Sequence, residues 1–148
     1  MEYNNLRNVL NRLSPILISL YRQNIDSTGT TATGKLANNI SFEVVQENNL
    51  YAVDFFLEDY WKYVEFGRRP GKWPNIKAIE NWIKVKRIAP RFNNLTYLIS
   101  RKIALKGIEP KELLTKSIDT FQENYIELIE EAITKDIAVE LDKNLNKV

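Results

Sequence analysis

The chain contains no cysteine and no histidine among its 148 residues. Without cysteine it has no disulfide bonds and no thiolate nucleophile, and without both residue types the usual zinc sites cannot form. The absence of histidine also removes the side chain that enzymes use most often as a base near neutral pH. No apolar run approaches the length of a membrane span, and the chain does not begin with a basic and then an apolar segment. We therefore expect neither a transmembrane helix nor a signal peptide.

Carboxylates are the remaining candidates for catalysis or metal binding, and Glu58, Asp59 and Glu65 lie close together in the sequence. Paired carboxylates can bind a divalent cation or act as acid and base. No Asp-x-Asp run, phosphate-binding glycine loop or Gly-x-Ser-x-Gly motif accompanies them. We therefore expect no catalytic residue, no cofactor and no metal, and an enzyme with a carboxylate site is only a third hypothesis. Glu65 is interpreted as the ion-pair partner of an arginine in its own chain or in a neighbouring subunit.

Charge is segregated along the chain, although the net charge is only +2. Residues 62–91 contain nine Lys or Arg and two Glu, whereas residues 109–148 contain ten Asp or Glu and five Lys. A basic middle and an acidic end would attract each other between neighbouring copies, or would direct a polyanion to one face. Two separately solvated faces are the alternative that the residues leave open.

The first part of the chain predicts a helix followed by a β-hairpin, and residues 1–148 are most simply one domain of the α+β class. Apolar residues at helical spacing predict a helix over residues 2–25, with a kink or a restart at Ser14-Pro15. Alternating apolar residues predict a small antiparallel sheet at about residues 40–57, with an asparagine turn. The second strand is apolar on both faces. One face is expected on the N-terminal helix, and the other on the C-terminal half or on another subunit.

The second half of the chain predicts helices only. One runs over residues 75–86 and a further one over about residues 94–106, with Gly107 as its stop. Trp73 and Trp82 are interpreted as anchors of the core or of an interface, with the core preferred. The last helix, at about residues 110–146, is too long to be buried by one small domain. It either breaks near residues 134–136 or projects and packs on a neighbouring subunit.

Residues 60–74 carry the most specific local chemistry. Gly67 follows an apolar cluster at the point where a helix would end in a left-handed residue. Pro70 fixes φ, Gly71 suits the next turn position with φ > 0, and Pro74 suits the first position of a helix. The segment therefore predicts a stiff loop with exposed cations, flanked by aromatic residues. The candidate interface residues are Glu65, Arg68, Arg69, Lys72 and Trp73, and the structural turn residues are Gly67, Pro70, Gly71 and Pro74.

Three segments resemble a family of phage proteins. Residues 63–74 read Tyr-Val-Glu-Phe-Gly-Arg-Arg-Pro-Gly-Lys-Trp-Pro, and Ile79, Trp82-Ile83 and Lys86 follow them. Residues 33–40 read Thr-Gly-Lys-Leu-Ala-Asn-Asn-Ile, and residues 99–108 read Ile-Ser-Arg-Lys-Ile-Ala-Leu-Lys-Gly-Ile. In this order they resemble the head–tail joining or tail-completion (neck) proteins of lambda-like tailed phages, with Asn39 in place of the usual serine. The family often closes its domain with a further strand, which the residues after 110 do not predict.

The resemblance implies a structural virion protein without an active site. Such a protein would form a homo-oligomeric ring at the head–tail junction, between the portal or connector and the tail proteins, after synthesis in the host cytoplasm. Double-stranded DNA would pass through its channel without sequence-specific contact and without any membrane partner. We expect Arg68 and Arg69 to contact carboxylates, in their own chain or across a subunit boundary, more than nucleic acid, because arginine holds a carboxylate in a fixed register.

The rival hypothesis is a small DNA-binding regulator that uses the basic patch of residues 62–91. The cations lie on a turn and at one helix end, which is not the pattern of a helix that reads the major groove. A modest cationic lining of a DNA channel suits them better, because tight phosphate contacts would hold the DNA in place. The candidate lining residues are Lys84, Lys86, Arg87 and Arg91.

Overall fold

The structure is a computed structural model that describes residues 3–29, 35–48, 50–58, 61–88 and 94–146. In chain order the elements are α1 (Asn4–Ser27), α2 (Lys35–Asn38), β1 (Ser41–Glu47), β2 (Leu50–Phe56), α3 (Trp61–Phe66), α4 (Ile76–Val85), α5 (Leu95–Lys106) and α6 (Leu113–Leu145). The two strands form one antiparallel hairpin. The chain is therefore α+β, as its sequence predicts, with a long N-terminal helix and a longer last one.

The two longest helices, α1 and α6, pack on each other in opposite directions. Near the end of α1, Asn24 donates a hydrogen bond of 2.8 Å to the hydroxyl of Ser117, close to the start of α6. At the start of α1, the side chain of Asn5 donates at 2.8 Å to Asp136, far along α6. Ser117 in turn donates to the carbonyl of Leu113 at 2.6 Å. These buried polar groups are satisfied, and they set the register of the helix pair.

The hydrophobic core lies where the hairpin and α3 cover α1 and the beginning of α6. One face of the hairpin packs on it, and on that face Phe42 and Phe55 are directly opposite each other with ring centroids 6.4 Å apart. This confirms that one face of the second strand lies on the N-terminal helix. The buried members of the core are Ile18, Tyr21, Ile25, Ala37, Ile40 and Leu113.

The hairpin turn forms at the asparagine pair. Glu47 is the cross-strand partner of Leu50, so the connection has two residues. Asn48 adopts φ 56°, a left-handed conformation that asparagine tolerates better than most residues. Asn49 lies outside the described residues. The predicted turn is therefore confirmed at Asn48.

Helix α1 runs without interruption through Pro15, so the predicted restart at this position is wrong. Ser14 does not cap a second helix, because its hydroxyl donates back to the carbonyl of Leu10 at 2.7 Å. Proline inside a helix costs about 3 kcal/mol because it removes a backbone hydrogen bond. Packing of α1 along α6 and under the hairpin outweighs that penalty, which sequence periodicity alone does not reveal.

Helix α6 is also continuous, so the predicted break near residues 134–136 does not occur. Asp136 is 4% exposed and accepts hydrogen bonds from the backbone N–H groups of Asn5 and Leu6 at 3.0 and 2.9 Å. The residue before α1, Tyr3, makes no side-chain capping hydrogen bond of its own. Asp136 therefore caps α1 from the partner helix. Beyond it α6 continues to Leu145, with Ile137, Val139, Leu141 and Leu145 exposed.

Helices α4 and α5 pack against each other and form an extension, here called the arm and defined as residues 67–108. The rest of the chain is called the body. No residue of α4 is buried, and Trp73 and Trp82 are 50% and 40% exposed. The preference for placing both tryptophans in the core is therefore wrong. Amphipathic spacing shows which face of α4 is apolar, but it does not show that, among the described helices, α5 is the one packed against it.

Candidate functional site

The segment around residues 67–74, here called the basic loop, is joined to the end of α5 by backbone hydrogen bonds. Arg68 and Ile108 exchange two of them, each N–H to carbonyl at 2.8 Å. Three residues further on, the N–H of Gly71 donates to the carbonyl of Ala104 at 2.7 Å. The basic loop is therefore not a free turn, because its first half forms one side of the connection between arm and body.

Two glycines make this connection possible. Gly67 has φ 69° and Gly107 has φ 75°, and each lies against the backbone of the opposite segment. A Cβ atom on Gly67 would collide with the carbonyl oxygen of Ile108 and lie 2.8 Å from the nitrogen of Pro110. A Cβ atom on Gly107 would collide with the carbonyl oxygen of Arg68. The predicted left-handed residue at Gly67 and the predicted stop at Gly107 are both confirmed, and both positions require glycine.

Glu65 does not pair with an arginine among the described residues. It is 3% exposed and accepts three hydrogen bonds at the start of α6. The backbone N–H of Leu114 donates to Oε2 at 2.7 Å, while the N–H and hydroxyl of Thr115 donate to Oε1 at 2.9 and 2.6 Å. The interpretation of Glu65 as the partner of an arginine in its own chain is corrected among the described residues, because its carboxylate caps the longest helix.

The end of α3 and the start of α6 also satisfy each other through their backbones. The last carbonyls of a helix and its first N–H groups have no partner within the helix. Here the carbonyls of Val64 and Glu65 accept from the N–H groups of Lys111 and Glu112 at 2.9 and 3.3 Å. Glu112 has φ 52° and makes no side-chain capping bond. Glu65 supplies the cap that the chain before α6 lacks.

Arg68 stiffens the basic loop instead of contacting a carboxylate of its own chain. Its Nη2 donates to the carbonyls of Lys72 and Trp73 at 3.2 and 3.0 Å. Among the described residues of its own chain Arg68 therefore has no carboxylate partner, and a carboxylate contact across a subunit boundary stays a prediction. The side chains of Arg69 and Lys72 are exposed, and the described residues give neither of them a hydrogen bond or an ion pair. These two are therefore the cations of the basic loop whose side chains have no partner among the described residues.

The second half of the basic loop leads directly into α4. Gly71 adopts φ 117°, as the predicted turn requires. Trp73 contacts Tyr97 of α5 with ring centroids 5.5 Å apart, so the aromatic flank of the loop rests on the arm. Pro74 is buried but precedes the helix cap, which is Asn75; the Oδ1 of Asn75 accepts from the N–H of Ala78 at 3.3 Å. The prediction that Pro74 is the first helical residue is therefore corrected by two positions.

The candidate channel-lining residues lie at the other end of α4, about 15 Å from the basic loop by the rise of a helix of this length. Lys84 and Arg87 are exposed, and Arg87 adopts φ 51°. Lys86 is partly buried and its Nζ donates to the carbonyl of Gly29 at 3.4 Å, which ties the arm to the end of α1. Arg91 lies outside the described residues, as do Asp59 and Tyr60. The two cationic groups therefore do not form one patch.

The boundary between arm and body separates positive from negative charge more completely than the segments 62–91 and 109–148 do. The arm carries eleven of the 21 Lys and Arg but one of the 19 Asp and Glu, a net charge of +10. The remaining sequence carries ten Lys or Arg and eighteen Asp or Glu, a net charge of −8. The near-neutral protein is therefore a basic arm on an acidic body, and Arg101, Lys102 and Lys106 of α5 belong to the basic side.

The chain also exposes more surface than a compact monomer of its size. Its accessible surface is 10862 Å², whereas a folded monomer of 17.3 kDa exposes about 7,800 Å². The difference is about 3,000 Å², whereas permanent protein interfaces bury about 1,000–2,500 Å² on each partner. Much of the exposed apolar surface is on the arm, including Ile76, Trp82, Val85, Leu98 and Leu105.

Other chemistry is sparse in the part of the chain that the structure describes. There, no three carboxylates come close enough together to hold a metal ion. Glu58 accepts a hydrogen bond of 2.6 Å from the side chain of Asn39. No helix among these residues has the length and apolar character needed to cross a membrane.

Comparison with known proteins gives no match. No protein-family model, no curated protein and no solved structure is significantly similar to this chain.

Proposed function

We propose that the protein is a structural subunit of a tailed-phage virion that forms a ring at the head–tail junction, between the portal or connector and the tail. The observation that carries this proposal is the division into a basic arm and an acidic body. Each copy then has two complementary surfaces at different places. A contact between unlike surfaces, repeated by rotation, closes a ring.

Two further observations support an assembly role. The surface exposed beyond that of a compact monomer is of the size that assembly buries. Glu65, the carboxylate beside the basic loop, is 3% exposed and accepts three hydrogen bonds at the start of α6, which is a structural role. The motif resemblance of residues 63–74 and 99–108 narrows the assembly role to the phage neck. Within such a ring, DNA would pass Lys84, Lys86 and Arg87 without specific contact.

The basic loop is expected to be required for joining heads to tails. Arg69→Glu with Lys72→Glu reverses the two loop cations that have no partner among the described residues, and leaves the bracing contacts of Arg68 in place. In a phage genome that encodes the variant, we expect a folded protein that is absent from virions, and DNA-filled heads without tails. Electron microscopy and mass spectrometry of purified particles measure both.

The control is Arg7→Glu with Arg12→Glu, which makes the same charge change on the exposed side of α1. It should assemble normally. Normal particles that package or eject DNA poorly in the loop variant would assign the loop to DNA instead of protein. Normal particles with normal DNA would contradict the proposed function.

We expect the purified protein to be monomeric or weakly associated. Exposed ion pairs contribute only about 0–1 kcal/mol each, so a ring held by charged surfaces needs its neighbouring platform to form stably. Analytical ultracentrifugation over a range of concentrations measures this. A tight oligomer that does not depend on concentration would contradict the expectation. A stable complex of the monomer with short duplex DNA at physiological salt would favour the DNA-binding regulator.

A further inference from the structure

We propose that the outward face of the β-hairpin on one copy receives an outward stripe of α5 from the arm of a second copy. The inference rests on the proposed function, because it names the contact that would close the ring. The sequence alone pointed to the acidic residues 109–148 as the partner of the basic segment. The structure favours a different acidic surface, which joins carboxylates to exposed apolar side chains.

The outer hairpin face is the one opposite to the core. Its cross-strand pairs alternate with the pair of Phe42 and Phe55 that packs on the core. Leu50 is 69% exposed and Phe56 is 52% exposed at the two ends of this face. The pairs on the outer face are Ser41 with Phe56, Glu43 with Asp54, Val45 with Ala52 and Glu47 with Leu50.

The centre of this face is a pair of like charges. Glu43 and Asp54 are directly opposite each other across the hairpin, a placement that destabilises an antiparallel pair. Both side chains are exposed, and neither has an ion pair among the described residues. A two-stranded sheet is also only marginally stable by itself. A cation docked between the two carboxylates from outside would relieve their repulsion.

The α5 stripe has the complementary composition. Leu98, Arg101, Lys102 and Leu105 recur at the spacing of one helix face, and all four are exposed. The opposite side of α5 faces α4 and the basic loop, where Ser100 is fully buried. The stripe therefore presents two cations between two leucines.

The two surfaces match in order as well as in charge. Along β2 the outer face reads Leu50, Ala52, Asp54 and Phe56, with a carboxylate between apolar ends over about 20 Å. The α5 stripe spans about 10 Å. Within one chain α5 packs on α4, while the hairpin packs on α1, and both outward surfaces stay exposed. A second copy supplies the opposite charge for each surface, and the shorter α5 stripe fits within the length of the outer hairpin face.

Disulfide trapping tests this contact directly, because the chain has no cysteine of its own. Ser41→Cys places a nearly isosteric thiol on the outer hairpin face. Leu98→Cys and Leu105→Cys place one at either end of the stripe. The hairpin variant is mixed with each arm variant under mild oxidation, and mixed dimers are quantified by intact mass. Docking raises the effective concentration of the thiols, so one arm variant should give roughly tenfold more mixed dimer than a control pair.

Two further thiols serve as comparison positions. Ser19→Cys is exposed on α1 and gives the background of random collision. Thr120→Cys is exposed on α6 and reports the rival acidic surface. Trapping of Thr120 in preference to Ser41 overturns the hairpin assignment and leaves the proposed function standing. Trapping of Ser41 no greater than that of Ser19 with both arm variants also overturns it.

Reversing the charges of the two surfaces distinguishes trapping that depends on docking from trapping that reflects only a reactive thiol. Glu43→Lys with Asp54→Lys should reduce the trapped dimer to the background of the Ser19 pair. Adding Arg101→Glu and Lys102→Glu to the arm partner should restore it. If reversing the hairpin charges alone removes trapping, and reversing the charges on both surfaces does not restore it, the proposed pairing of charges is overturned. The proposed function is tested separately by the particle phenotype of the loop variant.

Discussion

Gly67→Val should lower the free energy of unfolding by about 3 kcal/mol or more. The φ of 69° alone penalises a side chain by about 1–2 kcal/mol. The added Cβ would also collide with the carbonyl oxygen of Ile108, so the backbone segments must separate. Separation breaks the two hydrogen bonds between Arg68 and Ile108.

Two substitutions in the same loop are the controls, and urea denaturation followed by circular dichroism measures all three. Gly71→Ala places a Cβ at φ 117° in open space, so it isolates backbone strain from collision. Arg69→Ala removes an exposed side chain and should cost about 0–1 kcal/mol. The midpoint should fall most for Gly67→Val, with an unchanged slope. Equal shifts for Gly67→Val and Arg69→Ala would show that the basic loop is not built against Ile108.

Local sequence signals predict α1, α6 and the hairpin well because the apolar residues of each recur at the spacing typical of a helix or a strand. The apolar spacing in α1 and α6 and the alternation in the hairpin all appear in the structure at nearly the predicted bounds. The predicted helix restart at Pro15 is wrong because the continuity of α1 depends on tertiary packing and not on a local signal. Proline inside the helix costs about 3 kcal/mol, and packing of α1 on the rest of the protein outweighs this cost. The sequence around residue 15 does not show that packing.

The capping contacts of the candidate site could not be predicted from spacing. Glu65 caps a helix that begins 48 residues later, and Asp136 caps one that begins at Asn4. A signal is present, but it is the absence of a local cap. Neither Tyr3 nor Glu112 makes a side-chain capping bond. A long helix with a poor N-cap residue is therefore a reason to search for a distant carboxylate.

The arm shows why charge windows in a sequence locate a surface only roughly. The sequence predicts a basic segment at residues 62–91, but the structural boundary is set by Gly67 and Gly107, each of which lies against the backbone of the opposite segment. Moving the boundary adds the cations of α5 to the arm and excludes Glu65 from it. The exposed state of Trp82 follows from the same geometry, because among the described elements α4 packs mainly on α5.

Glu65→Ala should destabilise the protein by about 3 kcal/mol, because it leaves two backbone N–H groups and one hydroxyl at the start of α6 without their acceptor. Glu65→Gln keeps one oxygen acceptor but loses the charge that favours a helix N-terminus, so about 1–2 kcal/mol is expected. Thr115→Val removes only the hydroxyl donor and should cost about 1 kcal/mol or less. Urea denaturation at neutral pH measures all three.

A double-mutant cycle between Glu65 and Arg68 separates the capping role from an ion pair. Arg68→Ala should destabilise by about 1 kcal/mol through the lost contacts to the carbonyls of Lys72 and Trp73. Because the two side chains serve different partners, their effects should add to within about 0.5 kcal/mol. A coupling energy of roughly 1.5 kcal/mol or more would mean that the carboxylate and the guanidinium interact directly. In that case Glu65 would belong to the basic loop, and α6 would need another cap.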